Sequence, residues 1–174
     1  MNETLAELLA VFFAAGKPLS TQDLARGLDR SEEETRQLIR RLERTLESGT
    51  HGVVLEEVAG GWRLIVHPRY VERARRTLRP KPPRLSAAAL EVLAIVAYHQ
   101  PITRAEVEAM RGKNSDAVME GLLERGLVEV VGEKPAVGRP RLYGTTLRFL
   151  EVFGLSSLDD LPPLGDEPTL LLRD

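Results

Sequence analysis

The chain contains no cysteine. That excludes disulfides, thiolate nucleophiles and cysteine zinc sites, and it fits a reducing compartment. It also lacks any apolar run near the ~20 residues that a bilayer-spanning helix needs. The start, MNETLAELLAVFFAAGKPL, carries two acids early and only a short apolar run, so it predicts an amphipathic helix and not a signal peptide. Neither sign of charge dominates: 24 Lys and Arg stand against 26 Asp and Glu, and a net charge of −2 gives no overall attraction for a polyanion. Histidine is scarce as well. His51, His67 and His99 fall in a turn, at a strand end and at a helix end, without metal-ligand spacing. No Gly-Lys-Ser/Thr phosphate loop is present. The expectation is a cytoplasmic protein with no membrane span, no cofactor, no metal and no catalytic residues.

What is present is 43% hydrophobic residues in a chain of 174, enough for one ordinary domain or two small ones. Leu5, Leu8, Leu9, Phe12 and Phe13 recur at helical spacing until Gly16 and Pro18 end the run. In PLSTQDL, Ser20 precedes Asp23 by three positions, which marks a second helix start. Ser31 followed by Glu34 opens a third helix, with Leu38, Ile39, Leu42 and Leu46 as its apolar stripe. VVLEEVAGGWRLIV then alternates around Gly60-Gly61 and predicts a hairpin.

The same order returns further on. ALEVLAIVAY predicts a helix, and PITRAEV repeats PLSTQDL with Thr103 as cap and Glu106 in the box position. NSDAVMEGLLERG is a third helix ending at Gly126. LVEVVG and RLYG are short strands around EKPAVGRP. Three helices and a hairpin, twice, predict a mostly α protein with small β-hairpins (α+β), built as two tandem winged-helix domains. RARRTLRPKPPR, residues 73 to 84, has six basic residues, three prolines and no acid, and its prolines divide the domains after Leu78. The expected limits are 1–80, 81–164 and a loose acidic tail over 165–174.

GRPRLYGTT, residues 138–146, concentrates special backbone and donor groups. Gly138, Pro140 and Gly144 shape the turn, and Thr145 or Thr146 caps the following helix. Arg139, Arg141 and Tyr143 are left to face a partner. A winged-helix transcriptional regulator is the rival reading. It would need basic or amide-bearing residues at the start of a third helix. The first domain offers Glu32, Glu33 and Glu34 there, which phosphates repel, and the second offers Asp116 and Glu120 beside Asn114. DNA contact is therefore expected to be at most weak and non-specific, through Arg73, Arg75, Arg76, Arg79, Lys81 and Arg84.

At LEVLAIVAYHQPITRAEVEAMRG, NSDAVMEGLLERGLVEVVG, GRPRLYGTT and FLEVFGLSSLDDLPPL the sequence resembles the segregation and condensation protein B family. These segments cover nearly all of residues 86–164. The first 80 residues match only in general pattern. The resemblance implies a non-enzymatic subunit of the bacterial condensin-like complex, nucleoid-associated and active in chromosome condensation and segregation. It implies a homodimer formed largely through the N-terminal domain. It also implies binding of the kleisin subunit, segregation and condensation protein A, and through it the SMC ATPase. Residues of the family pattern include Gln100, Thr103, Arg104, Glu106, Arg111, Asn114, Asp116, Arg125, Gly126, Arg139, Tyr143 and Thr145. From these and Arg141, the expected kleisin-binding set is Arg104, Arg111, Asn114, Arg139, Arg141, Tyr143 and Thr145. Lys113 and Glu133 depart from the family pattern.

Overall fold

The computed structural model describes residues 3–78 and 85–163. They fall into two compact units, 3–78 together with Gly154–Pro162, and 85–153.

In the first unit, α1 (Glu3–Ala15) buries Leu5, Leu8 and Phe12 on one stripe. Helix α2 (Thr21–Gly27) starts where Ser20 accepts a hydrogen bond from the Asp23 amide at 3.0 Å. Helix α3 (Glu32–Leu46) opens on a complete capping box, Ser31 with Glu34, and buries Leu38, Ile39, Leu42 and Leu46. These side chains, with Leu24 and Leu55, form one apolar core. Strands β1 (Val53–Val58) and β2 (Gly61–Val66) pair antiparallel from Val53↔Val66 to Val58↔Gly61. The hairpin loop is therefore Ala59-Gly60, one residue earlier than the sequence suggested. Both residues have positive φ, +52° and +69°, which a two-residue hairpin turn demands. Gly61 is a glycine for a different reason. The chain at Leu19 bridges to Trp62 by two 2.9 Å backbone hydrogen bonds, and a Cβ on Gly61 would stand 2.8 Å from the Leu19 carbonyl oxygen.

Helix α4 (Pro68–Leu78) follows, where part of the basic segment was expected to be linker. Its described residues reach Leu78, and Arg79, Lys81 and Arg84 lie outside the described residues.

The second unit repeats the order. Helix α5 (Ala87–His99), capped by Ser86, buries Val92, Leu93, Val96 and Ala97. Strand β3 (Ile102–Thr103) leads into α6 (Arg104–Arg111), which ends at Gly112 in the left-handed region, and then α7 (Asp116–Glu124). Strands β4 (Val128–Glu133) and β5 (Arg141–Thr145) complete a three-stranded sheet in the order β3-β5-β4. Helix α8 (Leu147–Phe153) is capped by Thr146, whose Oγ1 accepts from the Phe149 amide at 3.2 Å.

After α8 the chain returns to the first unit, although the expected second domain ran to residue 164. The Ala59 and Gly60 amides donate to the carbonyls of Leu155 (2.8 Å) and Ser156 (3.1 Å). Ser156 Oγ donates to the Glu57 carbonyl at 3.0 Å, and a short 3-10 turn over Leu158–Asp160 is held by Ser157 and Asp160. In this hairpin the two turn amides have no ladder partner, so the returning segment satisfies donors that water would otherwise take.

Candidate partner-binding site

The expected kleisin-binding residues separate into two groups. Most of them are tied to one another inside the second unit. Thr103 caps α6, and the Glu106 carboxylate returns to the Thr103 amide (2.8 Å) and hydroxyl (2.7 Å) while also holding Lys134 from the loop after β4. The Lys134 ammonium, then the Thr103 amide and hydroxyl, pull the Glu106 carboxyl down to about 2. Arg104 pairs with Asp116 at the start of α7 and lies over the Tyr143 ring at 6.0 Å. Asn114 Oδ1 accepts from the Asp116 amide at 3.2 Å, so Asn114 supplies the cap that Ser115 does not. The Asn114 amide and then Arg104 keep the Asp116 carboxyl below its ordinary value.

Arg111 is the most enclosed of the charged residues in the set, with its side chain 8% exposed. It donates to Glu91 on α5 (2.9 Å), to the Asn114 carbonyl (3.0 Å) and to Ser115 Oγ (3.3 Å). One guanidinium thus ties α5, α6 and the entry of α7. Gln100 links the end of α5 to β5: its Oε1 accepts from the Thr145 amide at 2.7 Å and its Nε2 donates to the Ala97 carbonyl at 3.0 Å. Tyr143, expected to face a partner, is buried at 4% exposure. Its position in β5, paired to Ile102 on one side and Val130 on the other, turns its ring into the core.

Arg139 and Arg141 remain outside. Arg139 is 80% exposed, pairs with Glu133 at 2.8 Å, and has φ +42° beside Gly138 at +79°. Arg141 is exposed at the start of β5, and Val137, two residues before Arg139, is fully exposed. These three form the tip of the second hairpin.

A different surface of the same unit was not anticipated. A groove of about 580 Å³ is lined by Leu85, Glu124, Arg125, Gly126, Leu127, Arg148 and Val152. A second hollow of about 310 Å³ shares Leu85 and Arg125, and is floored by Ala89, Ala117, Val118, Gly121 and Leu122. The signal was present in NSDAVMEGLLERG. Met119 and Leu122 mark the buried face of α7, while Ala117, Gly121 and Arg125 at four-residue spacing mark a second face that is small and then basic. Leu147 and Val152 are also exposed, at 67% and 50%.

The family model for segregation and condensation complex subunit ScpB matches residues 6–164. The chain belongs to this family. It is 45% identical over 161 residues to segregation and condensation protein B of Moorella thermoacetica, covering 92% of this chain and 83% of that one. The corresponding protein of Symbiobacterium thermophilum is 44% identical over 168 residues, covering 95% and 77%. Among solved structures, a dimer of a ScpB N-terminal domain complexed with a ScpA peptide is 27% identical, covers 42% of this chain and 93% of that one, and has a TM-score of 0.41. No helix among the described residues is long and apolar enough to cross a membrane.

Proposed function

We propose that this ScpB-family chain is the non-enzymatic accessory subunit of a bacterial SMC–kleisin complex. On this reading it is nucleoid-associated, its two units are winged helices, the first dimerises, and the second binds the kleisin segregation and condensation protein A. The observation that carries the partner assignment is the groove beside α7 and α8. It is a mainly apolar trough lined by Leu85, Gly126, Leu127 and Val152, where Arg125 and Arg148 outnumber the one acid, Glu124, and the adjoining hollow shares Leu85 and Arg125. A kleisin helix with an apolar face and flanking acids fits that combination of shape and charge.

The internally bonded residues Arg104, Arg111, Asn114, Tyr143 and Thr145 then hold the site's scaffold, and Arg139 and Arg141 serve as a rim. Support for dimerisation comes from the outer face of α1. Ala6, Ala10, Phe13 and Ala14 are exposed on one stripe, with Phe13 at 80%. The test is co-expression with the kleisin. Co-elution of the two, with light scattering giving two copies of this chain per complex, is expected. Elution of this chain as a free monomer beside the kleisin would contradict both parts of the reading.

A further inference from the structure

Helix α4 carries Arg69, Arg73, Arg75 and Arg76 against one acid, Glu72, and buries none of its residues fully. At 3.6 residues per turn, Arg69, Arg73 and Arg76 fall on a stripe about 60° wide. Burial agrees with that placement. Arg69, Glu72, Arg73, Arg76 and Thr77 are exposed, whereas Tyr70, Val71, Ala74 and Arg75 are half-buried. Arg76 meets Glu72 at 3.5 Å, with the two side chains 79% and 65% exposed, a pairing that water largely screens. Arg69 and Arg73 have no ion pair among the described residues.

We propose that this stripe is a non-specific contact for the phosphate backbone of double-stranded DNA. The proposal does not rest on the kleisin reading. Three guanidinium groups rise over about 10 Å of helix, and B-DNA presents one charge per about 1.7 Å of its axis, so each arginine has a phosphate within reach. Arginine suits phosphate because its planar fork matches two oxygens. An acidic protein surface is the rival occupant, but protein interfaces centre on apolar side chains. Here the stripe is flanked by Thr77 and Glu72, and the exposed Leu78 falls on the opposite side of the helix. Helix α3 makes the contrast. Its four arginines stand with four glutamates, and Arg36 pairs with Glu33 at 2.7 Å and Glu32 at 3.8 Å, so α3 has no net charge whereas α4 carries an excess of three positive charges.

The experiment is fluorescence anisotropy of a short labelled duplex of arbitrary sequence titrated with the full chain. Three variants are compared: the native chain, Arg69→Ala/Arg73→Ala/Arg76→Ala, and the control Arg36→Ala/Arg40→Ala/Arg44→Ala. Three lost phosphate contacts should flatten the log–log salt slope by about 2.7. Between 50 and 200 mM salt the native Kd should therefore rise roughly fortyfold more than that of the α4 variant. The α3 control should follow the native chain, and circular dichroism should show all three folded alike. Absence of native binding at 50 mM salt, an unchanged slope in the α4 variant, or equal affinity for a polyglutamate peptide would each overturn the proposal.

Discussion

Tyr143 and Arg139 stand four residues apart in the sequence and do different work. The Tyr143 ring is buried under the Arg104 guanidinium, so Tyr143→Ala leaves a cavity and removes apolar contact. It should cost roughly 3–5 kcal/mol in chemical denaturation, as aromatic-to-alanine changes in cores do. Arg139→Ala removes a side chain that is 80% exposed, and the midpoint should move by less than about 0.5 kcal/mol. The reverse order of the two effects would contradict the assignment. Glu106 gives a pH prediction. Its folded carboxyl lies near 2 against an ordinary 4.5, so its contribution is fully present above about 4.5 and is lost as pH falls toward 2. The melting-temperature gap between the native chain and Glu106→Gln should be open at pH 7 and close across that window. A gap independent of pH would mean that Lys134 and Thr103 do not hold the charge. The Thr103–Glu106 box was legible in the sequence because a cap needs only residues three apart. The burial of Tyr143 was not, because alternation along a strand marks two faces without saying which one meets the core.

At the scale of elements, local signals located most helices, and errors arose where a residue type served a distant contact. Gly60-Gly61 resembles a turn dipeptide, yet Gly61 is fixed by the approach of Leu19, far away in sequence. Gly61→Ala should therefore destabilise the first unit by roughly 1–3 kcal/mol, since the obstructing atoms are backbone and cannot rotate away. Tryptophan fluorescence reads this at Trp62, which shares the bridge. An unchanged unfolding midpoint would show that the bridge is loose. Helix α4 was hidden by its composition. A run dense in arginine before prolines reads as linker, while the periodicity of Tyr70, Val71, Ala74 and Leu78 is too short to stand out. The hollow beside the groove is not legible in the sequence for a related reason: a floor of alanine and glycine carries no chemistry of its own, and only the packed helices reveal it.

At the scale of the whole molecule, the chain leaves its first unit, builds the second, and comes back. A chain ending at Phe153 loses the acceptors of the Ala59 and Gly60 amides. Those two amides should then exchange with solvent faster, while the β1–β2 ladder keeps its protection; unchanged exchange at both would remove the proposed role of the returning segment. The central claim is that the groove of the second unit, with the hollow that shares its Leu85 and Arg125, receives the kleisin, and Gly121 in that hollow allows a test. A Cβ there meets nothing within 4 Å, so the backbone accepts a side chain at this position, Gly121→Leu projects into the hollow, and leucine favours the helix by about 0.5–1 kcal/mol. Calorimetric titration of the kleisin into native and Gly121→Leu protein should show at least roughly tenfold weaker binding, about 1.4 kcal/mol, with an equal or higher melting temperature. Native affinity in Gly121→Leu, together with weakened binding in Arg139→Ala, would move the kleisin to the tip of the hairpin and contradict the account.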